Sequence, residues 1–418
     1  MQRYESYKPS GAEWLGDIPA HWTVTPAKRL FREVSEKNHP DAELLSVTQE
    51  FGVVPRDQLE QRVVMPTGQL QTFKLVREDD FVISLRSFQG GIEYSEFTGL
   101  VSPAYTILRK QKDANSRYLK HLLKSAPFIS ELNTSVTGIR EGKNISFSEM
   151  AYSLLPLPAL TEQARIADFL DIKTAEIDAA IAKKERLIEL LQEQKNIRIH
   201  QAVLRGLNPE VPLCDSGVSW IGAVPAHWKV IPNRYIFREQ NARSLRGEET
   251  HLSMSQRYGL VPAKELDVQT LQSESYDGAK LCQKGDLVQN RLKAHLAVFA
   301  VAPCDGLVSP DYSVFRLQNS ENQPVYFERL FKTPNYLGEF NRRVRGIVVG
   351  FLRLYSEDFN AIPALVPPCD EQAEIVKFIE ATNKDFENIR AKIDAEIAML
   401  RELKAITVAS AVTGKIKV

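Results

Sequence analysis

Two histidines come first among the residues equipped for chemistry. His21 and His227 each lie in a Pro-Ala-His-Trp segment, and an imidazole is a natural acid–base group near neutral pH. Each is flanked by Ala and Trp, and no nearby carboxylate accompanies both, so packing or hydrogen bonding is the expected role. Glu141-Gly142-Lys143 has the form of a nuclease half-motif, but its partner carboxylates are not recognisable and the aligned stretch from Arg343 to Gly350 lacks it. Cys214, Cys282, Cys304 and Cys369 are separated by 68, 22 and 65 residues, which fits no common zinc spacing. They are expected to be structural, and no metal site is expected. The sequence shows no Gly-rich phosphate loop, no Asn-Pro-Pro-Tyr or Asp-Pro-Pro-Tyr, and no cofactor-binding glycine fingerprint after a strand. No catalytic residue is assigned.

What remains is polar and basic material in irregular stretches. The first half offers Arg86, Gln89, Arg140, Lys143 and Asn144, and the second offers Asn290, Arg291, Lys293, Arg342, Arg343 and Arg345. Arg and Lys hold phosphates and pair with guanine edges, while Asn and Gln pair with adenine edges. Neighbouring glycines such as Gly90, Gly138 and Gly346 permit close backbone approach. These are candidates for contact with double-stranded DNA. The 53 basic and 53 acidic residues cancel, and residues 1–160 hold 19 of each. A neutral chain does not coat nucleic acid indiscriminately; it needs a few placed contacts or help from a partner protein. Trp14, Trp22, Trp220 and Trp228 are read as core anchors rather than base-stacking platforms.

The elements that must position these residues are written twice. Trp14-Leu15-Gly16-Asp17-Ile18-Pro19-Ala20-His21-Trp22 returns at Trp220 to Trp228, Gly99-Leu100-Val101-Ser102-Pro103 at Gly306 to Pro310, and Glu162-Gln163-Ala164 at Glu371 to Ala373. The offsets are 206, 207 and 209 residues in a chain of 418. Short apolar runs such as Phe81–Leu85, Tyr105–Leu108, Leu44–Val47, Asp286–Val288 and Tyr312–Phe315 read as strands. Tyr118–Leu123 and Tyr326–Phe331 read as short amphipathic helices. After prolines and the proposed N-caps Thr161 and Asp370, each copy runs into a helical pattern of roughly 40 residues, about 60 Å if unbroken. Gly206 and Gly414 stand where C-terminal caps belong, and breaks are conceivable near Lys173-Thr174 and Ala381-Thr382-Asn383.

The apolar stripes of the two helices align at a constant offset and cannot be buried alone. Ile177, Ile181, Ile188 and Leu191 on the first, with Phe386, Ile389, Ile393, Ile397 and Leu400 on the second, are the expected packing residues. The fold class is therefore α+β: two tandem pseudo-symmetric repeats, each a strand-rich domain followed by a long helix, the helices packing as an antiparallel coiled-coil spacer. The boundaries are 1–155 and 208–364 for the globular parts, with 156–207 and 365–418 for the helices. No run approaches the ~18 apolar residues a membrane helix needs, and the N-terminus lacks a signal-peptide pattern, so a cytoplasmic protein is expected.

The paired openings at Trp14 and Trp220, the Leu-Pro-Leu-Pro-Ala-Leu-Thr-Glu-Gln-Ala-Arg-Ile run at 155–166 and the Pro-Pro-Cys-Asp-Glu-Gln-Ala-Glu-Ile run at 367–375, each followed by a long helix, carry a resemblance. In this duplicated order the whole chain resembles the specificity subunit of type I restriction–modification systems. The resemblance implies two target-recognition domains, each reading one half of a bipartite DNA site in the major groove. It implies helices that act as a ruler and dock two modification subunits carrying adenine-N6 methyltransferase chemistry. Restriction subunits would join that core. S-adenosylmethionine, ATP and Mg would sit on the partners, with no cofactor on this chain.

The frames of the two copies match, but Gln58–Met65 bears little relation to Glu265–Gln272, and the glycines of Ser87–Ile92 have no counterpart in Leu292–Leu296. The two half-sites are therefore expected to differ in sequence. Two other readings compete: a DNA-modifying enzyme, which needs a cofactor or metal site the sequence does not display, and a coiled-coil scaffold without DNA readout.

Overall fold

The computed structural model describes residues 2–59, 70–85, 87–134, 136–137, 144–255, 259–265, 276–296, 298–346 and 352–418. It divides into two compact units, Met1–Glu185 with Ile393–Val418, and Arg186–Lys392. Each unit holds one globular module, the start of its own long helix and the end of the other copy's helix.

Both modules are built around a four-stranded antiparallel sheet of the same strand order. In the first the order is Phe31–Val34, Thr106–Lys110, Phe81–Ile83, Glu93–Tyr94. In the second it is Phe237–Gln240, Tyr312–Leu317, Leu287–Asn290, Phe299–Val301. Central strands such as Phe81–Ile83 are buried on both faces, which is why they read as continuous apolar runs rather than alternating ones. The chain then returns to its start: Leu154–Leu157 pairs with Thr23–Pro26, and Pro363–Val366 with Lys229–Pro232. That pairing brings the beginning of each long helix back beside the Trp-rich opening of its own module.

The long helices run Leu160–Arg205 and Cys369–Val412, 46 and 44 residues without interruption. Each therefore begins before the expected N-cap, and Thr161 and Asp370 lie within the first turn. Neither candidate break exists; Thr174 Oγ1 simply donates back to the Leu170 carbonyl at 2.7 Å, which a helix tolerates. Gly206 and Gly414 follow the helix ends with φ of +77° and +72°, the left-handed conformation that glycine adopts without a Cβ penalty.

In the first unit the two helical segments run antiparallel, joined by Lys184 to Glu396, Glu185 to Arg401 at 3.1 Å and Asp178 to Lys404 at 2.7 Å. Ile393 and Ile397 are buried there, and Ile177, Ile181 and Leu400 are half-buried. In the second unit Lys195 sits 4.2 Å from the Phe386 ring and Arg198 5.3 Å from Phe378, again antiparallel. Phe386 is buried, and Ile188 and Leu191 are half-buried. Ile389 departs from its expected packing role, being 44% exposed. It lies roughly 60° off the line through Phe386 and Ile393, and a two-helix contact covers only a narrow stripe.

The helix ends complete the cores. Ala411 and Val412 are buried with Trp22, Tyr118, Ile166 and Leu170, and Tyr118 donates its hydroxyl to the Val412 carbonyl at 3.3 Å. In the second unit Ala202 and Val203 are buried with Trp228, Tyr326, Ile375 and Ile379, and Tyr326 donates to the Val203 carbonyl at 3.0 Å. Among the described residues no helix is long and apolar enough to cross a membrane.

Candidate nucleic-acid interface

The second module gathers cations into one open groove of about 490 Å³. Its floor is Lys280, on the strand Lys280–Cys282 and only 5% exposed, with Nζ 3.6 Å from Glu239 Oε1. Glu239 also accepts the Ser356 hydroxyl at 2.8 Å. Burial holds the Lys280 ammonium below the usual lysine range, opposed by Glu239 and reinforced by Arg291 and Arg243. Arg243 also lines the groove and donates to the Gly278 carbonyl at 2.6 Å.

Two of the residues nominated from sequence complete the groove. Arg291 donates from Nε to the Asp311 carbonyl at 2.7 Å. Arg345, 66% exposed, donates from Nη2 to Asp358 Oδ1 at 2.6 Å. Its backbone exchanges two 2.9 Å hydrogen bonds with Arg353. Tyr355 and Ser356 line the groove beside them.

The other nominated residues fall elsewhere. Arg342 and Arg343 end the helix Pro334–Arg343, and both pair with the buried Glu339, Arg343 from Nε at 2.6 Å and Arg342 from Nη1 at 3.2 Å. Arg343 is therefore spent on its own helix, while Arg342 is 74% exposed. Asn290 is buried; its Oδ1 accepts the Leu292 amide at 3.1 Å, a turn-capping role rather than a surface offered to a ligand. Lys293 is exposed, at a kink in the Arg291–Leu296 turn. In the first module Gln89 is exposed in the short helix Ser87–Gly90. Arg86, Arg140, Lys143 and the Glu141-Gly142-Lys143 motif lie outside the described residues. Asn144 is in the strand Asn144–Ile145, which pairs with Val136–Thr137. Sequence reading missed Lys280 and Arg243. The available signal was a lysine inside the otherwise apolar run Ala279-Lys280-Leu281, since a buried ammonium demands a partner.

The recurring histidines take the expected hydrogen-bonding role, with carboxylate partners that lie far away in sequence. His21 Nε2 is 2.9 Å from Glu162 Oε2, and His227 Nε2 is 2.7 Å from Glu371 Oε2. The acids come from the repeated Glu-Gln-Ala motif, 141 and 144 residues away, where no local pattern reveals them. Glu162 also accepts Tyr4 Oη at 2.8 Å, whereas Glu371 accepts Trp228 Nε1 at 3.0 Å. The neighbouring Gln163 donates to the Pro158 carbonyl at 2.8 Å and accepts the Asn115 amide at 2.9 Å. Gln372 repeats both bonds, to Pro367 and from Gln323, each at 2.9 Å. The motif thus fastens the start of each long helix to its module, and the histidines serve that bracket. All four cysteines are free, and burial pushes the Cys282 thiol up to about 12. Among the described residues no group of three or more His, Cys, Asp or Glu is placed to hold a metal.

No family model matches the chain. It is 22% identical over 382 residues to the EcoKI type I restriction enzyme specificity subunit of Escherichia coli strain K12, covering 85% of this chain and 78% of that one. It is 29% identical over 140 residues to the EcoBI specificity subunit of Escherichia coli, covering 33% of this chain and 28% of that one. Its fold matches a chain solved in work on assembly and conformational transition of the type I R-M system, with a TM-score of 0.65 at 14% identity over 96% of this chain and 99% of that one. The doubled module, the paired helices and these likenesses define a class, the proteins of type I restriction–modification systems. Within that class the chain is similar to the specificity subunits.

Proposed function

We propose that this chain reads an asymmetric bipartite DNA site, one half with each module, as the non-catalytic specificity subunit of a complex with modification and restriction subunits. One observation carries the asymmetry. Strand register places Leu85, Thr137 and Asn144 of the first module where the second has Arg291, Arg345 and Arg353, although the frames around them are alike. Identical frames hold their helices identically; unlike side chains at matching positions read unlike bases.

Two modification subunits fit the repeat. Leu190 and Ile197 on the first long helix are 46% and 48% exposed, and Met399 and Ile406 on the second are 67% and 54% exposed. The pairs are seven residues apart on each helix and stand at the 209-residue offset, so the same apolar stripe is offered twice. S-adenosylmethionine, ATP and Mg belong to the partner subunits in this reading. The helices set the gap between half-sites.

The test is to map methylated adenines in a genome carrying this chain with its modification partner. Two different half-sites at a fixed gap are expected, and exchanging one module for that of a related subunit should change one half only. A palindromic site, or an unchanged site after the exchange, refutes the reading.

A further inference from the structure

The two modules differ in a way that half-site sequence alone does not require. In the second, four cations line one groove against the carboxylates of Glu239 and Glu357. Lys280 has one partner among the described residues, the long 3.6 Å contact to Glu239. Among the described residues Arg345 commits only its Nη2, to Asp358. A concave, cation-lined groove does not suit a base edge, which is read by side chains projecting into the DNA rather than by a recess. It suits an anionic group that projects from the duplex, and the phosphodiester is that group.

The same address in the first module is already filled. Lys74 takes the position of Lys280 in the equivalent strand pairing, but its Nζ donates to the Tyr105 carbonyl at 2.6 Å. Glu36 stands where the second module has Ala242, because Leu75 and Leu281 donate their amides to those two residues. Glu36 binds Arg109 at 2.5 Å and Arg77 at 2.8 Å, while Arg109 also holds Asp80 at 2.7 Å. That network ties both arginines to carboxylates of their own module. Among the described residues Arg291 and Arg345 have no basic counterparts there, Leu85 and Thr137 occupying their places in the strand register.

We propose that the groove of the second module is a phosphate grip, seating one DNA backbone phosphate between Lys280, Arg291 and Arg345, and that the described residues of the first module form none at this address. The grip rests on the DNA-reading function above. It makes the two modules unequal: the second holds the duplex through a sequence-blind, salt-sensitive contact that the first lacks.

The experiment measures affinity against KCl concentration for the full chain assembled with its modification partner. Two duplexes are used, one carrying the methylated site and one scrambled. Lys280→Met and Arg345→Gln should each lower the salt exponent, by no more than the roughly 0.9 that loss of the whole phosphate contact carries. Both should weaken the two duplexes by the same factor and leave the methylated sequence unchanged. Arg345→Lys, which keeps the charge, should restore the exponent that Arg345→Gln loses, separating charge from folding. Lys74→Met in the first module should leave the exponent at the wild-type value. An unchanged exponent in Lys280→Met and Arg345→Gln overturns the grip. So does relaxation of one base position without a change of slope, or a drop for Lys74→Met as large as for Lys280→Met. A wild-type complex that binds both duplexes alike would sink the specificity reading instead, and the exponent would still decide the grip.

Discussion

Gly414→Ala should cost the protein far more than Gly206→Ala, although the two glycines occupy the same place in the repeat. Both follow a long helix in the left-handed region, at φ +72° and +77°, so both substitutions carry the same backbone strain of about 1–2 kcal/mol. The surroundings differ. A Cβ at Gly414 would stand 2.3 Å from Pro19 Cδ, 2.7 Å from Pro19 Cγ and 3.2 Å from Trp22 Cη2, against a fixed ring and a fully buried indole. At Gly206 the nearest atom is Glu371 Oε1 at 2.7 Å, the free end of a side chain, with Trp228 Cζ2 at 3.4 Å. Overpacking that cannot relax adds about 1–3 kcal/mol, so Gly414→Ala should cost about 2–5 kcal/mol and Gly206→Ala about 1–2 kcal/mol. For units of this size each kcal/mol moves Tm by about 2–4 °C. Calorimetry and urea unfolding of the full chain would read both values. Pro19→Ala in the Gly414→Ala background should recover the steric part and leave the strain. Equal losses at the two sites, or no recovery with Pro19→Ala, would refute the packing account of the helix end.

Tyr326→Phe should cost about 1–3 kcal/mol in urea unfolding, because it strands the Val203 carbonyl at a buried helix end; a loss below a few tenths would reject that role for the hydroxyl. Burial pushes the Glu162 carboxyl up, but Tyr4 and His21 hydrogen bonds outweigh it and hold it below 4.5. Its contribution is therefore present above pH 4.5 and disappears as the pH falls below that value, a slope that Glu162→Gln should flatten in acid unfolding curves. Lys404→Ala breaks an exposed pair with Asp178 and should cost about 0.2–1 kcal/mol, less at high salt; a salt-independent loss above that range would mean the pair is not simply a surface contact. Glu93→Ala should destabilise the first unit, and Lys120→Glu should restore part of the loss by re-pairing Lys124, with zero coupling in the double-mutant cycle as the refuting result.

Elements governed by local periodicity were legible in the sequence. The two long helices, the short helices Ser116–Leu123 and Pro324–Phe331 and the strands around Phe81 and Tyr312 all follow from apolar spacing and turn residues. The repeat itself made the strand order of one module a guide to the other. What was not legible depends on partners distant in the chain. His21 finds Glu162 across 141 residues, and Lys280 reaches the groove floor because a strand pairing with Gly306–Val308 carries it there. Arg343 and Asn290 looked available because composition cannot show that Glu339 and the Leu292 amide already occupy them. Ile389 was placed in the seam because a one-dimensional stripe does not reveal how narrow the facing surface is.

The same frame tolerates divergence by moving charges without losing them. Lys124 and Lys332 hold matching places at the ends of the equivalent short helices, and each pairs with a carboxylate at 2.6 Å. The acid comes from different elements. In the first module it is Glu93, on the sheet-edge strand, buried so deeply that its carboxyl is pushed up to about 7 despite the Lys124 ammonium. In the second, strand register puts Ala300 at that position, and Glu328 supplies the acid from one turn earlier in the helix while its other oxygen accepts the Val301 amide at 3.0 Å. Leaving either lysine unpaired would cost a part-buried ammonium its partner, so the two sequences reach one solution by separate routes. In the cation groove, by contrast, Arg291 and Arg345 have no substitute among the described residues of the first module. Charge that serves the fold is replaced when it moves. Charge that faces a ligand is free to disappear, and its disappearance from one module marks the surface on which the two have taken different tasks.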